Sequence, residues 1–585
     1  MAVEKLIIDH IDTWTTALQT CSTAGRGSSG KIELYGIKKL RELILELAVR
    51  GNLVPQDPND EPAYELLRGM KKQQEDLIKE KKIKKPKKLP SIDEILESIS
   101  IPQGWELCYL NDIGDWGAGA TPNRTNSGYY GGNIPWFKSG ELSEDYITDS
   151  EEYITALALK ECSLRDNQPG DVLIAMYGAT IGKTSILNTR STSNQAVCAC
   201  TPFDGLSNQY LLTFLKASKR VFTSMGAGGA QPNISKEKIV ATQFALPPLK
   251  EQLRIVEKVE QLMSLCDQLE QHSLTSLDAH QQLVKTLLTT LTDSQNADEL
   301  AENWARISEH FDTLFTTEAS IDALKQTILQ LAVMGKLVPQ DPNDEPAVEL
   351  LKRIAQEKAQ LVKDGKIKKQ KPLPPISDEE KPFELPEGWE WCLFEDVVDI
   401  QSGITKGRNL ASRKLITVPY LRVANVQRGY LDLSEVKEID IPEEEKDKYH
   451  VIKGDLLITE GGDWDTVGRT TVWCHDWYIA NQNHVFKGRI IGQDIDPYWL
   501  ETYMNSPYSR DYFASASKQT TNLASINKTQ LRGCPVAIPS SSEAEKIMLK
   551  LNNFNKLCEK LKLQIQSAQQ TQLHLADALT DAAIN

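Results

Sequence analysis

The sequence GNLVPQDPNDEPAYELL begins at Gly51, and GKLVPQDPNDEPAVELL begins at Gly335. Both stretches are rich in Pro, Asp and Asn, and both lack apolar periodicity. This pattern predicts a loop rather than a strand or a helix interior. Loops are usually the most variable parts of a protein. A loop written twice in one chain therefore indicates two copies of a larger unit, each of which makes the same contact.

The repeat is much longer than the loop. The same offset of 335 − 51 = 284 residues relates KIKKPKKLP at Lys82 to KIKKQKPLP at Lys366, and IPQGWELC at Ile101 to LPEGWEWC at Leu385. The loop, the lysine-rich linker and the predicted helices match well, whereas the segments after the two GWE motifs differ. The chain is therefore a tandem duplication with a common part and an individual part in each copy, far longer than a solenoid repeat.

Composition sets the class of protein. With 585 residues, 40% hydrophobic and 25% charged, the chain is expected to fold into several globular cores. No apolar run reaches the length of a membrane span, and charges interrupt the N-terminal MAVEKLIIDHIDTW, so no signal peptide is expected. Ten cysteines without a CxxC pair favour reduced thiols in a cytoplasmic protein over disulfides or a metal site.

Charge narrows the possible partners. The net charge of −15 argues against a nucleic-acid binder that is driven by its own charge, but not against one whose partner proteins supply positive surface. Within 101–250, 12 Lys and Arg residues stand against 14 Asp and Glu residues. Such a segment is suited to reading bases rather than to gripping phosphates.

The coarse secondary structure alternates between the two parts. Segment 31–50 predicts an amphipathic helix that ends at Gly51, and segment 62–82 predicts a second, charged helix. Segment 101–250 alternates short β-rich runs with Gly, Asn and Pro turns. Each copy is thus expected to combine helices with a separate β-rich domain.

Two long helices are predicted, over 250–291 and 543–580. Their apolar residues follow a 4-3 spacing that is typical of a coiled-coil seam. We expect the two helices to pair with each other, because the seams align Cys266 with Cys558. The alternative is that each helix packs on its own domain.

No motif predicts a catalytic centre. YGATIGKT, from Tyr177 to Thr184, resembles a phosphate loop but has Tyr where the first Gly is required, and the second copy reads VGRT. QDPND lacks the second Pro and the aromatic residue of an amino-methyltransferase motif. The eight His residues form no HxxxH pair, and no Ser/His/Asp set can be assembled.

The two individual segments share a composition that favours DNA contacts. Arg, Lys, Asn and Gln side chains make bidentate contacts to base edges, and Gly lets the backbone approach. The alternative is that these residues lie on solvated loops. In the first segment the candidates are Arg124, Asn126, Tyr129, Lys138, Tyr177, Lys183, Asn194, Gln195, Gln231 and Asn233. In the second segment they are Lys406, Arg408, Arg422, Asn425, Gln427, Arg428, Trp464, Arg469, Asn481, Asn483, Lys518 and Asn522.

Several stretches together resemble the specificity subunit of Type I restriction–modification systems. They are PGDVLIAMYGATIGKT, ALPPLKEQLRIVEKVEQLMSLCDQLE, VPYLRVANVQRGYLDLSEV and GGDWDTVGRT. The resemblance covers nearly the whole chain, and the twice-written LVPQDPNDEPA loop resembles the Type IB subfamily. The second copy departs from the first at Glu460–Thr470, so residue roles do not transfer from one domain to the other.

The resemblance implies an α+β fold in which two α/β target-recognition domains are separated by long antiparallel coiled-coil helices, with a pseudo-two-fold internal repeat. It implies that each recognition domain reads half of a split double-stranded DNA site. The expected regions are a helical segment with its linker, a first recognition domain, a central helical region, a second recognition domain and a C-terminal helix, at 1–100, 101–250, 251–384, 385–540 and 541–585.

The resemblance also implies partners. Two modification subunits would hold S-adenosylmethionine, two restriction subunits would use ATP and Mg²⁺, and this chain would be non-catalytic, with no cofactor of its own. An asymmetric DNA site needs two different reading surfaces but an identical docking surface for each modification subunit. The duplicated loops and helices are the expected docking surface, with Leu53, Val54, Pro55, Leu337, Val338 and Pro339 as candidate contacts.

Two other functions fit parts of the sequence. A complete Type IIG-like methyltransferase would need an [N/D]PP[Y/F/W] motif, which the sequence lacks. A helical scaffold without DNA binding would not explain the amide-rich individual segments. The bases recognised by each domain do not follow from the sequence.

Overall fold

The computed structural model describes residues 3–21, 31–90, 101–226, 232–410, 413–462, 466–520 and 523–584. The chain divides into two compact units. Unit 1 comprises residues 1–277 and 568–585, and unit 2 comprises residues 278–567. Each copy of the repeat thus builds most of one unit, and the last residues of the chain return to unit 1.

Unit 1 contains the amphipathic helix predicted from 31–50 and the charged helix predicted from 62–82, and both predictions are confirmed as α3 and α4. The helix before the loop buries Leu40, Leu43 and Leu47, which form an apolar stripe on one face. The helices are α1 (Val3–Asp9), α2 (Ile11–Thr16), α3 (Tyr35–Val49), α4 (Ala63–Lys79), α5 (Ala156–Glu161), α6 (Asn208–Ala217), α7 (Lys219–Ser224), α8 (Lys236–Val240) and the first part of α9 (Leu249–Asp293).

Unit 2 repeats the set around the second loop. Its helices are the last part of α9, α10 (Ala297–Glu309), α11 (Phe311–Leu314), α12 (Glu318–Val333), α13 (Ala347–Lys363), α14 (Phe394–Val397), α15 (Lys446–Tyr449), α16 (Pro497–Met504), α17 (Pro507–Ala516), α18 (Lys528–Arg532) and most of α19 (Ser541–Ile584). Helices α12 and α13 flank the second loop as α3 and α4 flank the first.

The strands of unit 1 form the β-rich part predicted from 101–250, after a separate N-terminal hairpin. They are β1 (Gln19–Cys21), β2 (Lys31–Glu33), β3 (Glu106–Tyr109), β4 (Gly114–Ala118), β5 (Tyr130–Phe137), β6 (Tyr146–Ile147), β7 (Tyr153–Ile154), β8 (Val172–Ala175), β9 (Thr184–Leu187), β10 (Thr192–Ser193), β11 (Val197–Pro202) and β12 (Gln243–Leu246).

The strands of unit 2 follow the same plan. They are β13 (Glu390–Leu393), β14 (Val398–Gln401), β15 (Leu415–Leu421), β16 (Lys437–Pro442), β17 (Leu456–Thr459), β18 (Gly461–Gly462), β19 (Thr470–Val472), β20 (Ala480–Asn481), β21 (Val485–Ile490), β22 (Lys518–Thr520), β23 (Leu523–Ser525) and β24 (Pro535–Ile538).

The sheets show that the two individual segments share one frame. In unit 1 the main sheet runs β4-β11-β8-β9, and a second sheet runs β10-β5-β7; in unit 2 the orders are β14-β21-β17-β19 and β20-β15-β16. The short pair β3–β12 corresponds to β13–β24. Unit 1 adds β6 to its main sheet, and unit 2 adds a small sheet of β18, β23 and β22. The predicted α+β class with an internal repeat is therefore confirmed.

Both long helices extend over the predicted ranges. Seam residues Ile255, Val259 and Cys266 lie in the core of unit 1, packed with α3 and the first β-rich domain, and Cys558 lies in the core of unit 2. The first part of each helix is thus buried against its own unit, which was the alternative interpretation. The pairing of one seam with the other stays a prediction.

Candidate nucleic-acid interface

Backbone hydrogen bonds connect the candidate loops of unit 1 in series. The Ala120 amide donates to the Ser193 carbonyl at 3.0 Å, and the Met176 amide donates to the Ala196 carbonyl at 2.8 Å. The Ile234 amide then donates to the Met176 carbonyl at 2.9 Å. The three separate segments favoured by the sequence are therefore one continuous set of loops, which we call the first loop set (residues 119–138, 176–178, 194–196 and 232–236).

The same series recurs in unit 2. The Ile404 amide donates to the Asn481 carbonyl at 2.7 Å, and the Glu460 amide donates to the His484 carbonyl at 3.0 Å. The Ile526 amide donates to the Glu460 carbonyl at 2.9 Å. We call residues 403–409, 422–430, 460–462, 482–484 and 524–526 the second loop set. Divergent sequences thus build equivalent sets.

Each loop set begins with a glycine that has a structural role. A Cβ on Gly119 would lie 2.1 Å from the Ser193 carbonyl oxygen, and a Cβ on Gly403 would lie 2.2 Å from that of Asn481. No side chain fits there, so both glycines serve a close backbone approach within the loop set. Gly119, in the stretch GAGATP from Gly117 to Pro122, is therefore a structural residue.

Arg124 is the best-defined cation of the first loop set. Its guanidinium carbon lies 4.8 Å from the ring centroid of Tyr130 and 5.0 Å from that of Trp136. Glu152 accepts a hydrogen bond from Arg124 at 2.6 Å and lies 2.7 Å from the Lys138 ammonium. Arg124, and then Lys138, lower the pKa of the Glu152 carboxyl. A planar donor group is thereby fixed in orientation while half of its side chain stays exposed.

The second loop set also combines cations, aromatic rings and a shared carboxylate. Glu445 lies 2.8 Å from Arg408 and 3.0 Å from Arg413, and the Lys406 ammonium lies 5.1 Å from the ring centroid of Tyr420. Tyr420 is on β15, which corresponds to the β5 strand that carries Trp136. Both sets therefore place a cation over an aromatic ring on equivalent strands.

Other candidates of unit 2 hold its loops together while remaining partly exposed. Arg469 donates to Gln427 at 2.8 Å, Arg422 donates to the Glu435 carboxylate at 3.0 Å, and Arg428 lies 3.5 Å from the Asn505 amide oxygen. Asn483 lies 3.5 Å from the His484 ring. These side chains lie within or beside the second loop set, where each could also meet DNA.

Two candidate asparagines are corrected by the structure. Asn425 is 3% exposed and donates to the carbonyls of Asp432 and Glu435, and Asn481 is 1% exposed and donates to the Val485 carbonyl. Their amides are used inside the domain, so they shape loops and cannot meet a base. The sequence-based assignment failed because Asn serves equally well as a loop-closing residue.

Lys183 differs from the other candidates in its surroundings. It lines a groove of about 1150 Å³ in unit 1 together with Arg41 and Glu42 of α3 and Lys216 of α6. That groove is formed by α3, by parts of α9 and α19, and by residues of the individual segment that lie outside the first loop set. Lys183 is therefore a weaker candidate for base contact than Arg124, although it remains partly exposed.

The remaining candidates of unit 1 are accessible. Asn126 and Asn194 use their side-chain oxygens to accept from nearby backbone amides, Tyr129 donates to Glu161, and Gln195 accepts from Thr121. Tyr177 and Asn233 are exposed and face each other across a β-bridge. Gln231, Trp464 and Asn522 lie outside the described residues, as does the side chain of Lys518.

The first copy of the duplicated loop is tied to the interior of unit 1. Gly51 has φ +73°, and a Cβ there would lie 2.4 Å from Pro102 Cγ. Gln56 donates to the Gly51 carbonyl at 2.7 Å and to Glu251 of α9 at 3.1 Å. Asp60, which is buried, pairs with Arg254 of α9 at 2.7 Å. The loop thus joins the end of α3, the GWE motif and the start of the long helix.

The second copy makes the matching contacts. Gly335 has φ +69°, with Pro386 Cγ 2.5 Å from a Cβ built there, and Gln340 donates to the Gly335 carbonyl at 2.6 Å and to Glu543 of α19 at 3.0 Å. The Trp389 indole donates to Glu543 at 2.9 Å, and burial raises the pKa of that carboxyl. Much of the identity between the loops is therefore explained by internal contacts.

The candidate docking residues divide by exposure. Leu53 is buried in the core of unit 1, whereas Val54 and Val338 are partly buried and Pro55 and Pro339 are exposed. Leu337, Val338 and Pro339 line a groove of about 920 Å³ in unit 2, along with Trp304 and Phe554. The exposed part of each loop remains a candidate for contact with another protein.

Sequence reasoning missed the acidic residues that organise the cations. Glu152 and Glu445 each bridge two cations, and no sequence motif marks either residue. Sequence reasoning also missed Lys487, which lies in the core of unit 2 at 1% exposure. The only sequence signal for Lys487 was a lysine inside the apolar strand VFKGRI.

Comparison with known proteins gives the family. Residues 102–279 and 386–568 match the model of the Type I restriction modification DNA specificity domain. These two ranges contain the two loop sets and the first part of each long helix. The chain therefore belongs to the Type I restriction–modification specificity family.

Individual relatives match over their full length. The chain is 45% identical to the Type I restriction enzyme EcoEI specificity subunit and 46% identical to the EcoAI specificity subunit, both of Escherichia coli, with all of each chain covered. Among solved structures, the HsdS subunit of Thermoanaerobacter tengcongensis is 16% identical, with 83% of this chain and 98% of that chain covered at a TM-score of 0.38. The family assignment therefore rests on the sequence matches. None of the described helices is both long and apolar enough to span a membrane.

Proposed function

We propose that this chain is the sequence-specific DNA-recognition subunit of a Type I restriction–modification complex. One observation carries the proposal: two domains share a sheet order, yet each presents its own cations and amides on equivalent loops. A common frame with individual loops suits the reading of two different half-sites in double-stranded DNA. Arg124 in the first set and Arg408 and Arg469 in the second are the leading contacts.

The chain acts without a catalytic centre of its own. In this proposal the methyl donor S-adenosylmethionine is held by two modification subunits, and ATP and Mg²⁺ are used by two restriction subunits of a cytoplasmic complex. The exposed tips of the two duplicated loops, with the long helices, dock the two modification subunits. Their near-identical sequences and matching contacts support equivalent docking at both copies.

A domain exchange tests the reading role. Residues 105–246 are replaced by the matching segment of a relative, which retains the loop at Gly51 and the helix α9. The methylated motif of cells that carry the exchanged chain should change in one half and stay the same in the other, as read by methylome sequencing. A change in both halves, or in neither, would show that the two segments are not independent readers.

Methyl transfer distinguishes this proposal from a self-sufficient methyltransferase. The purified chain should transfer no methyl group from S-adenosylmethionine to genomic DNA, and transfer should appear when the modification subunit is added. A gel shift with a genomic DNA library separates the remaining alternative, because a helical scaffold would shift no fragment with or without that subunit.

A further inference from the structure

The lysine-rich linker that follows α4 and α13 is anchored to the fold in both copies. The amides of Lys82 and Ile83 donate to the Leu77 carbonyl, and those of Lys366 and Ile367 donate to the Leu361 carbonyl. Ile83 packs against the core of unit 1, and Ile367 packs against that of unit 2. The start of the linker is thus fixed by the same contacts in the two copies.

The lysines of the linker point away from this anchor. Lys84, Lys85 and Lys87 in unit 1 correspond to Lys368, Lys369 and Lys371 in unit 2, and all six side chains are exposed. Within the described part of the chain, none of the six has a carboxylate within 4.0 Å. A chain with net charge −15 therefore keeps the same uncompensated cations twice. We call Lys368, Lys369 and Lys371 the lysine strip of unit 2.

The surroundings of this strip concentrate its charge further. A groove of about 860 Å³ in unit 2 is lined by the strip, by Lys352 and Lys358 of α13, by Lys528 and Arg532 of α18, and by four carboxylates, those of Glu390, Glu395, Asp396 and Asp399. Burial lowers the pKa of Lys528; the charge of Asp399 opposes this lowering, and those of Arg532 and Lys368 add to it. Arg532 pairs with Glu395 at 2.5 Å, and Lys358 lies 3.9 Å from Asp396. Seven cations thus line the groove against four carboxylates, and the lysines of the strip contribute to the excess of positive charge.

The strip is also attached next to the second loop set. Arg532 donates to the Lys371 carbonyl at 2.7 Å, and Leu373 approaches the position of a Cβ on Gly533 to 3.7 Å. Helix α18 begins at Lys528, two residues after Ile526, which ends the second loop set. In unit 1, hydrogen bonds from the Glu237 backbone amide and from Ser235 lower the pKa of the Glu237 carboxyl of α8, and the charge of Lys87 adds a smaller lowering.

We propose that the lysine strip of each unit contacts phosphates of duplex DNA beside the bases that the same unit reads. The inference rests on the proposed function, and adds to it a second, sequence-independent contact. A phosphodiester backbone is the polyanion that a row of exposed, unpaired ammonium groups fits, because lysine recognises it as a point charge without base geometry. The loop sets supply selectivity, and the strips supply part of the salt-dependent affinity.

The test is the salt dependence of DNA affinity for the full chain with its modification subunits. Affinity for a cognate duplex and for an unrelated duplex of equal length is measured between low and moderate salt for the wild type and for K368Q/K369Q. The slope of log affinity against log salt should fall by about 1.8 for the two lysines, and by the same amount on both duplexes. The charge-retaining K368R/K369R variant should keep the wild-type slope.

A net-charge control separates local contact from overall charge. K160Q/K453Q removes two other exposed lysines, one from each β-rich domain, and should leave the slope close to wild type. The proposal would be overturned if K368Q/K369Q changed the slope no more than this control does. It would also be overturned if the loss of affinity were confined to the cognate duplex. If K368Q/K369Q no longer assembled with the modification subunit but kept the wild-type salt slope, the strip would be a contact with that subunit and not with DNA. If the wild-type complex bound no duplex selectively, the proposed function itself would fail.

Discussion

In the proposed function Arg124 reads a base, and its surroundings fix its side chain in advance. Its guanidinium is held over Tyr130 and Trp136 and is oriented by Glu152, so little conformational freedom remains to be lost on binding. An arginine fixed in this way presents its remaining donors in a fork that matches guanine. In the proposed function, the pairing of Glu152 with Arg124 also disfavours weak, unselective contacts with DNA.

The Arg124→Ala change should therefore affect selectivity more than overall binding. We expect affinity for the cognate duplex to fall by about 1–3 kcal/mol and one base position to become relaxed, with affinity for unrelated DNA nearly unchanged. Competition binding against a library of single-base variants measures both effects. Arg124→Lys keeps the charge but not the forked donor group, so it should show the same loss of selectivity at that base position. If Arg124→Ala weakened binding equally on all sequences, Arg124 would be a phosphate contact instead.

Lys487 is a residue whose chemistry is set by burial. It lies on β21 opposite Gln401, where Ala199 lies opposite Gly117 in unit 1. Its ammonium donates to the carbonyls of Lys448 and His450 at 3.1 and 2.9 Å, which ties α15 to the main sheet. Burial lowers the pKa of Lys487 to about 8. One copy of the frame thus has an apolar residue where the other has an ion.

This pKa predicts a pH dependence of stability. Between about pH 8 and pH 10.5 the unfolded lysine keeps a proton that the folded lysine has lost, so the free energy of unfolding should rise with pH. The rise is at most about 1.4 kcal/mol per pH unit. Urea denaturation of the full chain measures this free energy at each pH. Lys487→Met should abolish the increase that comes from Lys487, whereas Lys453→Met, at an exposed site, should retain it. Parallel pH curves for wild type and Lys487→Met would contradict the prediction.

At the scale of elements, the duplicated loop carries a structural task that the sequence only hinted at. The repeated Gln, Asp and Gly residues connect α3 to α9 and α12 to α19 through internal hydrogen bonds. Both loops also pack a glycine with positive φ against a proline of the GWE segment. Sequence identity between the loops therefore reflects folding as well as docking.

Gly51→Ala tests the structural part. A methyl group there meets Pro102 at 2.4 Å in a left-handed backbone, so the full chain should lose about 2 kcal/mol or more of unfolding free energy. Gly335→Ala should behave in the same way. Gly69→Ala is the matched control, because this helical glycine of α4 has open space around it and should gain about 0.5–1 kcal/mol. Chemical denaturation followed by far-UV circular dichroism measures all three; a neutral Gly51→Ala would refute the packing argument.

The helices were predictable from sequence, and the loop sets only in part. Helix α3 ends within two residues of the prediction because apolar periodicity and the stop at Gly51 are local signals. The loop sets arise from pairings such as β5 with β10, which join residues far apart in the chain. For the same reason Asn425 and Asn481 could not be separated from accessible amides, and Lys183 could not be assigned to the α3 groove.

At the scale of the whole molecule, the length of the long helices has a consequence for the DNA site. Helix α9 runs unbroken for 45 residues, about 67 Å at 1.5 Å per residue. In the proposed function, such helices act as a ruler between the half-sites. The unread spacer in the DNA site is then a property of helix length rather than of the loop sets.

A four-residue insertion after Ser273 tests the ruler. It adds about one turn, or roughly 6 Å, and nearly preserves the apolar face of the helix. The methylated motif should keep both half-sites while its spacer grows by one or two base pairs, as read by methylome sequencing of cells that carry the insertion. An unchanged spacer would mean that partner subunits, not the helices, position the two domains.

The return of the C-terminal end of α19 to unit 1 affects the order in which the protein is made. Lys39 of α3 pairs with Asp577 at 2.7 Å, and Ala576 is fully buried in the core that α3 helps to form. Unit 2 has all its residues once Ser567 is synthesised, but unit 1, begun first, lacks a piece of its core until the final residues leave the ribosome. At bacterial rates of up to about 20 residues per second, the N-terminal half waits on the order of 15 s for its last helix segment. A nascent chain cut short by a late stop codon would therefore be damaged in the half that was translated first.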